Sequence, residues 1–283
     1  MQTVKDFEWL VIDDGSNDET QELIGGWVRE QKEFPVRYFK VEHGGKQRAI
    51  NRGVTVASGE YFFIVDSDDF LVADAVAFLL EAFSSLPSDR NIIGISGLKG
   101  DVSGKPLGNG PKIGENEWVD ATNLERAKYD LSADMAECFF TEKLKSYPFS
   151  VWEGESFTPE AVVWDRMALD GYRLRWYGKV IYHCEYQPDG LTNSSWRLLR
   201  DNPMGYAMLF NTKLESAKDI RRKIELIIHF ISCCCLAREY GYVLKCIHPV
   251  FAVLFFPVGY LLSLRREGQF KQYLNIEKGS VHH

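Results

Sequence analysis

The sequence lacks the features that mark several common classes of protein. Its six cysteines include no CxxC pair, and three of them (Cys233–Cys235) are consecutive, so a zinc ribbon or a disulfide framework is not expected. The first ten residues, MQTVKDFEWL, contain no apolar run of the kind found in secretory signal peptides. These absences favour a cytoplasmic protein without structural disulfide bonds.

An excess of positive charge is also lacking, because the 283 residues carry a formal net charge of −7. A nucleic-acid partner is therefore not expected. The charge is unevenly distributed: from Lys213 to the end there are eleven Lys/Arg and six Asp/Glu, so the rest of the chain is strongly acidic. This asymmetry favours two parts with separate tasks. We divide the chain into residues 1–195 and a basic extension, residues 196–283.

Short apolar runs alternate with helical patterns over about the first hundred residues, which is typical of a mostly parallel α/β sheet. Predicted strands cover Phe7–Ile12, Val36–Val41, Tyr61–Val65 and Ile92–Gly97, and predicted helices begin near Glu19, Lys46 and Ala73. The first of these helices would bury Leu23, Ile24 and Trp27. A later helix is predicted from Pro159 to about Leu169, with Thr158 as its N-cap.

Two acidic clusters follow predicted strands: Asp13 with Asp14, and Asp66 with Asp68 and Asp69. The strands of a parallel sheet end at one edge, and ligands bind there. Crowded carboxylates repel one another unless a cation lies among them, and hard oxygen ligands suit Mg²⁺ or Mn²⁺ with substrate phosphates completing the coordination. The alternative is that these are solvated turn residues, since Asp is common in turns.

Five segments carry a resemblance to a known family: VIDDGSNDET at 11–20, HGGKQRAINRGVTVASGEYFFIVDSDDF at 43–70, ECFFTEKLKSYPF at 137–149, EGESFTPEAVVWDRMALDGY at 153–172 and VIYHCEYQPDGLT at 180–192. They resemble the inverting family 2 glycosyltransferases of bacteria, and the similarity covers most of residues 7–195. The resemblance implies a GT-A fold, Rossmann-like with a mostly parallel sheet, and a helical carboxyl-terminal extension lies beyond it. It also implies a nucleoside-diphosphate sugar donor, with a UDP-sugar favoured, and a divalent cation, Mn²⁺ or Mg²⁺.

Position by position, the resemblance implies roles for particular residues. Asp13 and Asp14 would contact the nucleotide, and Lys46 would line its pocket. Asp66 and Asp68 form the DxD element, in which Asp68 is the more direct metal ligand and Asp66 lies nearer the ribose. The neighbouring carboxylate, Asp69, is expected to close the turn.

Two further side chains complete the implied site. Glu160 falls where the family has its catalytic carboxylate, and as general base it would take the proton from an acceptor hydroxyl in a direct displacement. Glu153 and Glu155 are rival bases. His183 follows a predicted strand and is a candidate metal ligand, with a packed or surface histidine as the alternative.

The carboxyl-terminal part contains an uncharged run of 19 residues, Cys246–Leu264, followed by Arg265 and Arg266. As a helix it would measure about 28 Å, barely the thickness of a bilayer's hydrocarbon core. Pro257 within the run argues against a simple span, and the basic flanks favour peripheral contact with the inner face of the plasma membrane. The alternative is a pair of apolar helices packed on the catalytic domain.

The family pattern normally begins with one more strand, ahead of the position of Met1. The sequence therefore predicts an amino-terminally truncated sheet with an open edge at Phe7–Ile12. The favoured function is sugar transfer, with inversion, to a hydroxyl of a glycan or lipid-linked glycan in cell-surface polysaccharide synthesis. One alternative is a non-catalytic nucleotide- or glycan-binding relative. Another is a receiver-like signalling module, which would not account for a Glu-bearing helix near residue 160.

Overall fold

The computed structural model describes residues 1–31, 33–87, 91–108, 113–114, 117–184 and 195–280, with side chains as far as Asn275. The chain forms two compact units, Met1–Phe149 with Val163–Tyr186, and Ser150–Val162 with Gln187–His283. The segment 150–162, which the sequence-based division assigns to the first domain, thus groups with the carboxyl-terminal helices. The predicted boundary at residue 195 adjoins residues 185–194, which lie outside the described part.

The described residues of the first unit form two sheets. The strands are β1 (Trp9–Asp13), β2 (Val36–Lys40), β3 (Tyr61–Phe63), β4 (Phe70–Leu71), β5 (Ile92–Gly100), β6 (Trp118–Ala121), β7 (Met135–Phe140) and β8 (Arg173–His183). β1 and β2 pair in parallel. The larger sheet has the order β3-β7-β5-β8-β4, and β6 also pairs with β8. Its long central pair, β5 and β8, is parallel, and its other pairings are antiparallel.

The first three helices of this unit begin within two residues of their predicted starts. They are α1 (Thr20–Glu30), α2 (Lys46–Val56), α3 (Ala75–Ser84), a 3₁₀ helix (Asn123–Tyr129) and α4 (Thr141–Lys145), and α5 (Ala161–Leu169) begins in the second unit. Ile24 of α1 is buried, but Leu23 and Trp27 are exposed, so the prediction for those two residues was wrong. Trp27 instead stacks on Trp9, with ring centroids 5.3 Å apart.

The core of the first unit lies on both faces of the β5–β8 pair. β5 is buried from Ile92 to Leu98, as expected for a central strand covered on both sides. On one face, Ile50 of α2 packs in a cluster with Phe139 and Trp164. On the other, Phe83 of α3 packs beside β5 and β8. The core thus fixes α2, α3 and the sheet as one scaffold.

β1 has one strand partner, β2, among the described residues. β3 pairs only with β7 in the same part of the chain. Both strands nevertheless lie under α2, because a Cβ added to Gly53 would be 3.4 Å from Ile12 Cγ1 and 3.2 Å from Phe62 Cζ. Within the described residues, β1 is thus paired on one side only, and the predicted truncation of the sheet stays a prediction.

The second unit is helical in its carboxyl-terminal part, as predicted. It contains α6 (Ser195–Asp201), α7 (Pro203–Ser216), α8 (Ile220–Leu236), a 3₁₀ helix (Tyr240–Lys245) and α9 (Pro249–Ser280). α8 begins at a capped end, where the Asp219 carboxylate accepts the Arg222 N–H at 2.8 Å. Met204, Phe230 and Ala252 bring α7, α8 and α9 into one core, which also buries Cys233–Cys235.

Candidate functional site

Asp13 is the last residue of β1 and is only 4% exposed. Its carboxylate accepts hydrogen bonds from the Tyr38 hydroxyl and from the Ser16 N–H, the latter at 2.7 Å. Burial acts to raise the pKa of Asp13, but these hydrogen bonds outweigh it and lower the pKa below its usual value. Burial and the bond to Asp13 raise the pKa of Tyr38 to about 12. Asp13 thus joins β1 to β2, and its predicted contact with a nucleotide stays a prediction.

Asp14 joins the end of β1 to the start of α2. Its two carboxylate oxygens accept the N–H groups of Gly44 and Gly45, each at 2.8 Å, and His43 Nδ1 lies 2.9 Å from Oδ2. Gly15 of the DDGS motif has φ +83° and allows His43 to approach, since a Cβ there would lie 3.0 Å from the His43 backbone nitrogen. Asp14 therefore anchors the loop formed by His43, Gly44 and Gly45, which we call the HGG loop. The sequence did not reveal this contact within the chain.

A cluster of charges lies at the carboxyl end of β3, and we call it the Asp66 cluster: Asp66, Lys46 and Lys99. Lys46 Nζ is 2.7 Å from Asp66 Oδ1, and Lys99 Nζ is 3.9 Å from Asp66 Oδ2. The Asp66 N–H donates to the Tyr182 hydroxyl at 2.9 Å, and Lys99 Nζ lies 4.5 Å from the Tyr182 ring centroid. The cluster unites α2, β3, β5 and β8.

Lys99 was not among the predicted site residues. It belongs to no recognised motif, and only the packing of β5 against β8 brings it to Asp66. The available signal was weak: Lys99 is the one charged residue in the otherwise buried run Ile92–Gly100. A charge near the carboxyl end of a central strand is costly unless it has a partner or a ligand.

The turn after β3 holds two further carboxylates. Asp68 is exposed, whereas Asp69 is partly buried and accepts a hydrogen bond from Cys184 Sγ at 3.5 Å. The Asp69 N–H donates to the Asp66 carbonyl at 3.2 Å. These contacts agree with Asp69 closing the turn and leave Asp68 facing solvent.

His183 lies beside this turn, because it pairs with Phe70 where β4 meets β8. Its Nδ1 is 2.6 Å from the carbonyl oxygen of Asp101. A carbonyl can only accept, so Nδ1 carries the proton and Nε2 of the neutral ring keeps a lone pair. This is the tautomer that a metal ligand requires, although the contact equally suits a structural histidine.

No group of three or more His, Cys, Asp or Glu side chains in the described part of the chain is arranged to hold a metal ion. Asp66 is paired with Lys46, which leaves Asp68 and Nε2 of His183 as the candidate ligands. Mg²⁺ commonly uses one or two carboxylates, with substrate phosphates and water supplying the other ligands. A cation held by these two side chains would have to take its remaining ligands from a bound diphosphate and from water.

Glu160 belongs to the second unit, whereas the Asp66 cluster lies in the first. Glu160 is partly buried and directly precedes α5, which begins at Ala161. The predicted N-cap was wrong: the Thr158 hydroxyl is buried and donates to the Ser150 carbonyl at 2.7 Å. This bond to a neighbouring loop takes the hydroxyl away from the helix. Glu160 still lies at the amino-terminal end of α5.

The rival base Glu155 has a different task. It is buried, and its two oxygens accept the N–H groups of Met204 and Gly205 at 2.7 and 2.8 Å, at the start of α7. Burial raises its pKa, although the two hydrogen bonds act in the opposite direction. Glu155 therefore stabilises α7, and the other rival, Glu153, is exposed on the adjoining turn.

Residues 1–141, which contain the DDGS and DSDD motifs and both lysines of the Asp66 cluster, match the family described as Glycosyl transferase family 2. These residues form a family 2 glycosyltransferase domain. The family predicted from the sequence motifs is thus confirmed for this part of the chain.

Curated relatives agree with the family 2 domain. An uncharacterized glycosyltransferase of Rickettsia felis is 37% identical over 81 residues, which cover 29% of this chain and 13% of that protein. A poly-beta-1,6-N-acetyl-D-glucosamine synthase of Staphylococcus aureus is 28% identical over 173 residues, which cover 60% of this chain and 40% of the synthase. The chain therefore spans well under two thirds of the length of these relatives.

Solved structures extend the similarity beyond the family 2 domain. Staphylococcus aureus TarS 1–349 in complex with UDP-GlcNAc superposes with a TM-score of 0.52 at 18% identity, covering 96% of this chain and 85% of that chain. At this identity the likeness shows the fold alone. The predicted GT-A fold, an α/β domain followed by helices, is confirmed.

Proposed function

We propose that this protein transfers a sugar from a nucleoside-diphosphate sugar to a hydroxyl of a glycan or lipid-linked glycan. The Asp66 cluster carries the proposal, because it places two ammonium groups beside an exposed carboxylate turn in a family 2 domain. A diphosphate carries the charge that such a pair attracts. The TarS structure holds UDP-GlcNAc, and the synthase of Staphylococcus aureus is named for a polymer of N-acetylglucosamine. UDP-GlcNAc is therefore the first donor to test.

Lys46 and Lys99 bind the donor phosphates in this proposal. Asp66 holds both ammonium groups near the strand ends before the donor arrives, and the position of the Lys99 ammonium over the Tyr182 ring restricts its motion. Asp68 and His183 are the side chains that would hold Mn²⁺ or Mg²⁺. When bound, the cation supplies a Lewis acid that offsets the charge of the departing diphosphate.

Glu160 is the proposed general base. Its carboxylate accepts the proton of the acceptor hydroxyl while the acceptor oxygen bonds to the anomeric carbon and the bond to the diphosphate breaks, its electron pair leaving with the diphosphate. Attack from the side opposite the leaving group inverts the anomeric configuration. The occupation of Glu155 by the α7 N–H groups supports this choice of base.

A non-catalytic nucleotide-binding protein is the second candidate, and the open edge of β1 favours it. Asp13 and Asp14 lie at the end of this strand, which is paired on one side only within the described residues. A nucleotide base at that strand end would meet a paired strand on one side only. Binding without turnover is the behaviour expected of this alternative.

Calorimetry with UDP and Mn²⁺, followed by a transfer assay with UDP-GlcNAc, tests the proposal. The variant Lys99→Met keeps the length of the side chain and removes its charge, and we expect about a tenfold loss of UDP affinity. Lys105→Met, at an exposed lysine of the following turn, is the matched control and should bind as the parent does. Equal affinity in all three proteins would reject the diphosphate site, and UDP binding without transfer would support the non-catalytic alternative.

A further inference from the structure

The second unit has an exposed apolar surface that the proposed function does not use. Between Pro249 and Leu264 of α9 the exposed large apolar side chains are Val250, Phe251, Val253, Leu254, Val258, Tyr260, Leu261 and Leu264. Leu244 and Ile247 continue this surface on and after the preceding 3₁₀ helix. We call this set of residues the apolar face. Along α9 it is about 21 Å long, and no charged residue lies between Cys246 and Leu264. Solvent-exposed patches of this kind mark contact surfaces.

The opposite side of α9 is committed to the protein. Ala252 is fully buried in the core of the second unit. Gly259 lies so close to α8 that an added Cβ would be 2.5 Å from Ile231 Cβ. Arg266 donates to the Ser232 hydroxyl at 3.1 Å and contacts His229 Nδ1 at 2.6 Å. Burial, together with the Arg266 charge, lowers the pKa of His229, so its neutral ring accepts this bond.

The packing of α9 on α8 limits the ways in which α9 can contact a membrane. Pro249–Asn275 is long and apolar enough to cross a bilayer by length and composition. A crossing by this stretch would surround α9 with hydrocarbon and place Arg265, Arg266 and Glu267, which lie close to its midpoint, inside the bilayer. Charged groups at that depth are costly. A helix with one side packed on protein and the other side apolar instead lies along the interface.

Charge points to the chemistry of the partner. Arg265 lies four residues after Leu261 and Lys271 seven residues after Leu264, so both basic residues share the helical side of the apolar face. Lys245 is exposed between Leu244 and Ile247. The exposed acids next to these segments are Glu239, directly before the 3₁₀ helix, and Glu267, so the basic residues are in excess. A second copy of the chain would bring the same positive charges together, whereas anionic phospholipid headgroups would neutralise them.

We propose that the apolar face rests in the interfacial region of an anionic phospholipid bilayer, with α9 parallel to the membrane plane and α8 on its aqueous side. The proposal stands independently of sugar transfer. It assigns the peripheral membrane contact expected from the sequence to the apolar face, and it specifies contact along the interface in place of a span.

Co-sedimentation of the full chain with phosphatidylglycerol-containing vesicles tests the proposal. In the double variant Leu254→Gln, Leu261→Gln, two leucines with 67% and 64% exposure become polar, so the fold should be kept, and thermal melting checks this. We expect a loss of vesicle partitioning of about tenfold or more. The control Leu23→Gln changes a 54% exposed leucine of α1 and should partition as the parent does. Equal sedimentation of the parent and the folded double variant would overturn the proposal.

Two further measurements separate the competing occupants. The variant Arg265→Gln, Lys271→Gln should bind anionic vesicles several-fold more weakly and lose its preference for them over phosphatidylcholine vesicles. Sodium carbonate at high pH should release the parent protein from vesicles, and resistance to this extraction would overturn the interfacial placement in favour of a span. Sedimentation velocity tests a second copy: a dimer that the leucine substitutions dissociate, in a protein that ignores vesicles, would also overturn the proposal.

Discussion

Replacing Asp14 by Asn tests whether the main role of this residue is to stabilise the HGG loop. Each oxygen of Asp14 accepts one N–H, from Gly44 or from Gly45, at 2.8 Å. An Asn side chain can place its oxygen toward one of these donors, and its NH₂ group then faces the other donor. The substitution therefore removes one charge-assisted hydrogen bond and sets two donors against each other.

The expected cost follows from this geometry. Hydrogen bonds to charged groups contribute about 1.5–3 kcal/mol. The Asp14 side chain is 24% exposed, so water offsets part of the loss, and we expect unfolding to become easier by about 1–2 kcal/mol. In a chain of this size that corresponds to a fall in the melting temperature of roughly 2–5 °C. Because the loop leads into Lys46 and the Asp66 cluster, UDP affinity should fall as well.

Thermal unfolding and calorimetry with UDP are measured on the same preparations. Asp6→Asn is the matched control, since it makes the same change of charge at an exposed position and should alter stability by less than about 0.5 kcal/mol. The reasoning is refuted if Asp14→Asn melts with the control while losing UDP affinity. In that case Asp14 acts on the nucleotide directly, and its bonds to the loop add little.

Three other predictions concern the metal, the base and the core of the second unit. Asp68→Ala should abolish the increase in UDP affinity on adding Mn²⁺ without changing thermal stability, and an unchanged metal effect would remove Asp68 from the site. Glu160→Gln should keep donor binding and slow transfer by about 10²-fold or more, and transfer at the parental rate would assign the base elsewhere. Gly259→Val should destabilise the protein by about 1–3 kcal/mol because the new side chain would overlap Ile231. The control Gly268→Ala should not destabilise it, since a Cβ there meets no atom within 4 Å. Equal melting temperatures of the two variants would contradict this packing.

The local structure could be predicted because its signals are local. Strands and helices followed from apolar periodicity, and the end of α5 followed from Gly171, which has φ +84°. The errors arose where the conformation or burial of a side chain depends on contacts outside its own helix. The Thr158 hydroxyl bonds the Ser150 carbonyl in place of its own helix, and Leu23 and Trp27 point away from the core that buries Ile24. Periodicity gives the apolar side of a helix but not how much of that side another element covers.

Part of the candidate site could likewise be predicted from local motifs, and part depended on the packing of distant segments. The DDGS and DSDD motifs located the strand ends, and family resemblance named the acidic residues. The pairing of Lys46 with Asp66 and the approach of Lys99 required the neighbouring positions of α2, β3 and β5, which no spacing in the sequence encodes. Lys99 could be found only once β5 was known to lie between β7 and β8.

The hydrogen-bond partners of the carboxylates distinguish residues that look equivalent in the sequence motifs. Asp13, Asp14 and Glu155 each accept two or more hydrogen bonds from the chain itself, so a ligand that bound them would have to compete with the fold. Asp68, at the solvent-facing turn, can take a cation without disturbing a strand or a helix start. A carboxylate that is already satisfied contributes its charge and its position to the site, whereas an exposed one offers a ligand. In the proposed donor site, the motif DDGS would therefore serve as the support, and DSDD would be the part that meets the donor.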